Sequence, residues 1–273
     1  MNKQPNILVF DSGIGGISVY QEVQAKIPQA HYIYLFDNAA FPYGDKSNEF
    51  LINRVVKVIN QAVSLFDVDL IVVACNTAST ICLQELRSVF TIPVVGVVPA
   101  IKPATLISKN KHIGLLATKA TVQREYTQNL IQQFAQGYKV ELLGLSELAL
   151  IAEEKLQGTP VNIPQLRELL SAWLNLAVIP DTIVLGCTHY PFIKDELQQI
   201  FPAAKFVDSG YAIATRVFNL LKEKFELDVL PNKTITTKNN ILSTAISDKT
   251  FNLIKRLNSY GLDEYQLLNV KDD

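Results

Sequence analysis

Two cysteines stand at matching places in a repeated segment. Asp69-Leu-Ile-Val-Val-Ala-Cys75-Asn-Thr77 runs parallel to Asp181-Thr-Ile-Val-Leu-Gly-Cys187-Thr-His189, with the same offset from Asp to Cys, an apolar run between, and small polar residues after. Matched thiols facing one substrate from opposite sides can move a proton off one face of a carbon and onto the other, one acting as thiolate base and the other as thiol acid. Asn76, Thr77 and Ser79 precede a helical run from Ile81 to Phe90, so Cys75 lies near a helix N-terminus, where the dipole favours the thiolate. A free thiol with a pKa near ~8.5 is only a few per cent ionised at neutral pH, so lowering it by about one unit multiplies the reactive fraction several-fold. Cys187 has the same setting, with Thr188, His189 and Tyr190 leading to Pro191 and a helix that continues through Gln198. His189 adds either a proton donor to the substrate or a cation that lowers the thiol pKa. Cys82, the third and last cysteine, falls mid-helix on an apolar stripe with Leu86 and Val89 and reads as core.

Other polar tips sit where apolar runs end. Asp11-Ser12-Gly13-Ile14-Gly15-Gly16 closes the first run. A dinucleotide loop would need another glycine at Ser18, and an acid at the loop mouth repels a pyrophosphate. The glycines instead let backbone amides approach a small anion, while Asp11 orients an ammonium, assists a nearby thiol, or simply forms the turn. Phe41-Pro42-Tyr43-Gly44-Asp45-Lys46-Ser47 reads as turn and cap chemistry before a long helix starting near Asn48, on the same edge as Asp11 and Cys75. His31 and His112 have no companion ligands and read as surface or strand-start residues. A metal site built from Cys75, Cys187, His189 and an acid has no Cys-x-x-Cys or His-x-x-x-His spacing behind it, so no metal is assigned.

Positioning these tips falls to short apolar runs separated by amphipathic stretches. Strands are predicted at 6–10, 32–36, 70–74, 94–98, 113–117, 140–143, 183–186 and 205–207, and helices include 47–66 and 121–134. The runs are continuous rather than alternating, as in parallel sheets buried on both faces. Ile7-Leu-Val-Phe-Asp11-Ser12 and Ile113-Gly-Leu-Leu-Ala-Thr118 open comparable blocks, with Thr118 following Asp11 by 107 residues and Cys187 following Cys75 by 112. Two related halves follow: an α/β protein of two similar parallel-sheet domains related by a pseudo-twofold axis. The first domain is predicted over 1–97 plus 208–273 and the second over 98–207. The tail carries helices at 211–225 and near 249–260, with a polar stretch around 232–240, and is expected to pack back on the first half. Ligands of open parallel sheets bind outside the carboxyl ends of the strands, which places the active site in the cleft between the domains.

Composition narrows the partners. The 273 residues are 48% hydrophobic, ample for two cores, and the net charge of -1 with a pI near 6.3 comes from interspersed charges with no basic block. Nucleic acid is therefore not expected as the main partner. The start of the chain lacks the order of a signal peptide, no apolar stretch has the length to cross a bilayer, and three cysteines are too few for a disulfide scaffold. A cytoplasmic protein with free thiols, a small-molecule substrate and no membrane is expected.

Asp11-Ser12-Gly13-Ile14-Gly15-Gly16, Pro42-Tyr43-Gly44, Cys75-Asn76-Thr77, Leu115-Leu116-Ala117-Thr118 and Gly186-Cys187-Thr188-His189-Tyr190-Pro191 together resemble, in order and over nearly the whole chain, the motifs of the bacterial glutamate racemases. The resemblance implies cofactor-independent proton transfer at Cα that interconverts L- and D-glutamate and supplies D-glutamate for peptidoglycan, and it implies a homodimer. It casts Cys75 as the residue that abstracts from the D enantiomer and Cys187 as the one that abstracts from the L. Asp11, Ser12, Pro42, Tyr43, Gly44, Asn76, Thr77, Thr188 and His189 match residues that hold the substrate or tune the thiols, and Thr118 and Thr121 match further contacts. The family also places a glutamate near the second thiol. Ala152-Glu153-Glu154-Lys155-Leu156-Gln157-Gly158 offers two, of which Glu153 is preferred by its spacing to Gly158. Three rivals stay in play: an aspartate racemase, a hydrolase with Cys75 as nucleophile and His189 as base, and a non-catalytic amino-acid-binding protein.

Overall fold

A computed structural model of the chain describes residues 4–227 and 238–270. These residues divide into two compact units, one comprising the chain up to Val97 and again from Gly210, the other Val98–Ser209.

The first unit alternates β1 (Asn6–Asp11), α1 (Ile17–Lys26), β2 (His31–Phe36), α2 (Asn48–Leu65), β3 (Leu70–Val73), α3 (Asn76–Val89) and β4 (Val94–Gly96). The second contains α4 (Ile101–Ile107), β5 (His112–Ala117), α5 (Lys119–Gln123), α6 (Glu125–Phe134), β6 (Lys139–Gly144), α7 (Glu147–Leu156), α8 (Ile163–Leu169), α9 (Ser171–Leu174), β7 (Thr182–Leu185), α10 (Lys194–Ile200) and β8 (Lys205–Val207). The chain then returns to the first unit as α11 (Gly210–Phe225), β9 (Asn239–Ser243), α12 (Asp248–Asn258) and β10 (Leu262–Leu267). There α11 packs along α1, and β9 pairs with β2.

Both sheets are parallel throughout, with orders β10-β9-β2-β1-β3-β4 and β6-β5-β7-β8. Strands two, one, three and four of each unit therefore lie in the same sequence. Connections run to opposite sides of β1 and of β5, so the switch points lie between β1 and β3 and between β5 and β7. The central strands β1, β3, β5 and β7 are buried almost end to end, which is why their sequences are unbroken apolar runs. The edge strands β6, β8 and β10 are more open, with Leu142 of β6 38% exposed.

The duplicated aspartates clamp the opposite, N-terminal ends of these strands. Asp69 Oδ2 accepts the amide of Asn6, and Asp181 Oδ2 accepts those of Lys109 and Asn110. Burial raises the Asp181 pKa, but hydrogen bonds from Asn110, Ser108, Lys109 and Thr182 outweigh it and leave it below the ordinary carboxylate value.

The predicted helix over 121–134 is two helices. Arg124 between them is extended, and the Thr127 hydroxyl and Gln128 side-chain amide donate to the carbonyls of Thr121 and Val122. These side-chain donors satisfy the acceptors that continued helical amides would have taken. The stretch expected to be polar around 232–240 ends in a strand, residues 232–237 lying outside the described residues. Asn239 is disguised by its polarity: buried at the start of β9, its side chain accepts from Tyr32 N and donates to Gly261 O, bridging neighbouring segments of backbone. Among the described residues no helix is long and apolar enough to cross a membrane.

Candidate active site

In the first unit the site is built around the β1–β3 switch point. Asp11 ends β1 fully buried, its carboxylate accepting the amides of Ser12 at 2.8 Å and Gly16 at 2.6 Å. Two loop amides that an anion would need are thus already donated to Asp11, which corrects the expectation of a free anion cradle: the carboxylate itself occupies the mouth of α1. Gly16 is required by closeness, since a Cβ there would stand 2.9 Å from Asp11 Cβ and 3.0 Å from Ala74 Cβ.

Cys75 lies one residue past the end of β3, after Ala74, and is the N-cap residue of α3. The helix begins at Asn76, so Asn76, Thr77 and Ser79 form its first turn instead of preceding it. That brings the thiol closer to the positive end of the helix than the sequence reading had it. Ser79 pins this corner, its hydroxyl donating to Val73 O at 2.9 Å and accepting from Val97 N at 3.0 Å. The Ser12 hydroxyl lies 3.6 Å from Cys75 Sγ, and Asn76 Nδ2 is buried with no hydrogen-bond partner. Unpaired buried donors are rare in proteins. Cys82 is fully buried in the core beside Leu86, but Val89, expected on the same stripe, is 47% exposed because the helix ends there.

The loop before α2 contains a cis Phe41–Pro42 peptide and a 3-10 turn at Tyr43–Asp45, and Ser47 caps α2 by accepting from Phe50 N. Tyr43 is buried, and its hydroxyl donates to Asp37 Oδ2 at 2.7 Å. Burial and the Asp37 charge beside it push the phenol well above its ordinary value. Asp37 and Arg54, which form a buried ion pair at 2.8 Å, escaped the sequence reading. A signal existed: Arg54 falls on the apolar face of α2 with Leu51, Val55, Val58 and Ile59, where an arginine requires a partner.

In the second unit Thr118 follows β5 and caps α5. Its hydroxyl lies 2.9 Å from that of Thr121, whose amide it also accepts. Cys187 lies just beyond β7 in a buried setting, with His189 Nδ1 at 3.8 Å from its sulfur and Glu153 Oε1 at 3.1 Å from His189 Nε2. Glu154 is exposed. Burial pulls the His189 pKa down, yet the hydrogen bonds and charges of Cys187 and Glu153 outweigh it and hold it well above the ordinary imidazole value. Pro191 does not open an α-helix here. Tyr190–Ile193 is a 3-10 turn and α10 starts only at Lys194, while the Tyr190 hydroxyl is held by Leu145 O at 2.6 Å. Thr188 is buried beside the thiol in sequence. His31 and His112 both start strands, at the sheet ends away from the switch points. Among the described residues, no group of three or more His, Cys, Asp or Glu could hold a metal ion.

Each unit thus carries a thiol at the C-terminal end of its third strand, at the switch point of a sheet of identical order. This defines a two-unit α/β protein with a buried cysteine at the same strand end in each unit. The chain belongs to the Asp/Glu/Hydantoin racemase family, whose model matches residues 14–217. It is 48% identical to the glutamate racemase of Erwinia tasmaniensis across 94% of this chain and 90% of that one. It is 49% identical to the glutamate racemase of Pectobacterium carotovorum subsp. carotovorum across 97% and 92%. Among solved structures it is similar to Escherichia coli glutamate racemase in complex with L-glutamate and the activator UDP-MurNAc-Ala. That match has a TM-score of 0.92 and 44% identity and covers 99% of this chain and 100% of the other.

Proposed function

We propose that this protein is a glutamate racemase that interconverts the L and D enantiomers by two-base proton transfer at Cα, with Cys75 and Cys187 serving opposite faces of one stereocentre. The observation that carries this is the equivalence of the two thiols, each at the end of the third strand of a sheet with the same strand order. The relatives and the solved enzyme holding L-glutamate support the substrate.

In the L-to-D direction the Cys187 thiolate takes the Cα proton, the C–H electron pair remains on the carbanion, and the Cys75 thiol delivers its proton to the other face. The enzyme then holds the opposite protonation state, ready for the reverse reaction. No cofactor is invoked, so the carbanion must be stabilised by donors around the substrate carboxylate. Asn76, Ser12, Thr77, Thr118 and Thr188 are the groups we assign to that work, with the Pro42–Gly44 loop and Thr121 completing the pocket. Asp11 holds its loop, and His189 with Glu153 tunes Cys187. The product serves peptidoglycan synthesis. A homodimer in the cytoplasm completes the proposal, and sedimentation of the purified protein tests the dimer.

L-glutamate incubated with the enzyme in deuterated water should give D-glutamate carrying deuterium at Cα. Absence of D-glutamate, or its formation with the original hydrogen, overturns the assignment. L-aspartate run alongside decides between the two amino acids. The Cys187–His189–Glu153 arrangement favours one second reading, a thiol acyl-transfer site with nucleophile, base and orienter. That reading demands an acyl adduct on Cys187 by mass spectrometry and full activity in Cys75→Ala.

A further inference from the structure

Asp37 sits one residue beyond β2, fully buried, and its two oxygens gather four side-chain hydrogen bonds. Arg54 approaches as a fork, Nε to Oδ2 at 2.9 Å and Nη2 to Oδ1 at 2.8 Å. Tyr43 Oη donates to Oδ2 at 2.7 Å and Thr244 Oγ1 to Oδ1 at 2.6 Å. Three separate pieces of chain meet on this carboxylate: the loop before α2, the middle of α2, and the segment after β9. The Tyr43 ring shares a core cluster with Cys75 and packs against Phe10 at 6.3 Å.

An arginine on the buried face of a helix is costly to desolvate, and an apolar residue would fill the space at less cost. Its presence needs a reason beyond packing. What the fork supplies is geometry, because a bidentate guanidinium fixes the orientation of the carboxylate plane. The carboxylate in turn fixes where the Tyr43 hydroxyl, and therefore the Pro42–Gly44 turn, can lie.

We propose that Arg54 is a positioning residue for the reaction, acting through Asp37 to hold the Pro42–Gly44 loop in the conformation that receives the substrate. This rests on the assignment of that loop to glutamate binding. Thr244 makes the C-terminal return part of the same device, donating to Oδ1, the oxygen that Arg54 Nη2 also reaches.

The test compares wild type, Arg54→Gln, Arg54→Lys and the double variant Asp37→Asn/Arg54→Gln, measuring thermal midpoint and steady-state kinetics on both enantiomers. Arg54→Gln leaves the Asp37 charge buried without its counter-charge and should lower the midpoint, while the double variant, with neither charge, should regain most of it. In both Arg54→Lys and the double variant the KM for glutamate should rise about fivefold or more with kcat changed less than about twofold, the pattern of lost substrate binding. A double variant that regains midpoint and KM together shows the pair to serve stability alone and overturns the proposal. So does an unmoved KM in Arg54→Lys, which decides by itself if the double variant does not fold, or a fall in kcat at constant KM. Wild-type protein that fails to racemise glutamate removes the function itself. An active wild type whose variants bind normally removes only the role of Arg54.

Discussion

The corners around Cys75 and Cys187 share a backbone plan and differ in how they treat the sulfur. Ala74 N donates to Phe10 O and Gly186 N to Leu116 O, both at 2.7 Å, so the chain leaves the third strand in the same way in each unit. Beyond that point the two part. Cys75 is the N-cap residue of a helix of 14 residues and has the Ser12 hydroxyl at 3.6 Å, whereas Cys187 leads into a 3-10 turn and has the His189 ring at 3.8 Å. A backbone dipole contributes roughly half an elementary charge at a helix N-terminus, whereas an imidazole with a raised pKa offers a partner that titrates. The two units share the thiol position and differ in the groups that surround it.

The sharpest way to break this comparison is to remove the sulfurs one at a time. Cys75→Ala and Cys187→Ala should each lower racemisation in both directions by about 10³-fold or more, because a general acid or base alone supplies about 10²–10⁴ and each thiol takes both parts in turn. Chiral chromatography of glutamate from either enantiomer measures it. Retained activity in either variant would show that one thiol suffices, and the symmetry of the corners would then be structural only.

Much of this was legible before any coordinates. Continuous apolar runs marked the eight strands of the repeated units because central parallel strands meet helices on both faces, and the repeated Asp-to-Cys segment located both thiols. Legibility failed where side chains substitute for backbone. Asn239 and Asn240 open a strand although asparagine usually signals a turn, and Thr127 and Gln128 divide a helix whose periodicity is unbroken. It failed again for Asp37 and Arg54. The apolar face of α2 hints that Arg54 has a partner without naming it, and Thr244 lies 207 positions from Asp37, a separation across which no local pattern announces a hydrogen bond. The His189–Glu153 contact lay between these cases, since spacing favoured the right glutamate but only the fold of α7 beside the 3-10 turn shows it reaching the ring.

A smaller effect sharpens the difference in tuning. His189→Asn removes the titratable ring beside Cys187, so catalysis should fall about 10²-fold where Cys187 must ionise to abstract, and less in the opposite direction once saturating kcat values are compared. Equal losses in both directions would place His189 with the substrate instead. The pH signature follows from its raised pKa. A group whose pKa is higher in the folded state stabilises the fold fully below its unfolded value of about 6.5 and ceases to do so as pH rises through the folded value. Glu153→Gln weakens the partner that raises it. The alkaline decline in thermal midpoint should therefore begin at lower pH in that variant than in the wild type, as a series of melts across pH would record.

The smallest expected effect tests whether the shared backbone plan is equally tight in both corners. The residue before each cysteine is Ala74 in one unit and Gly186 in the other, although the two make the same hydrogen bond. A Cβ on Gly186 would meet Leu115 Cδ1 at 2.8 Å and Ala117 Cβ at 2.9 Å, both on or beside the adjacent strand β5, where only the leucine end can yield. Ala74 has its methyl fully buried, and the space beside it is secured because its own neighbour Gly16 lacks one. Each unit thus places a glycine near the end of its third strand, but against different neighbours. Gly186→Ala should cost about 1–3 kcal/mol of stability by overpacking and push Cys187 away from His189. Gly16→Ala should cost a similar amount in the first unit, by crowding Asp11 and Ala74 together. Denaturant titration of the two variants gives both numbers. A Gly186→Ala protein as stable as wild type would mean that the second sheet can open at β5–β7 without loss, and that the close approach seen there does not hold Cys187 in place.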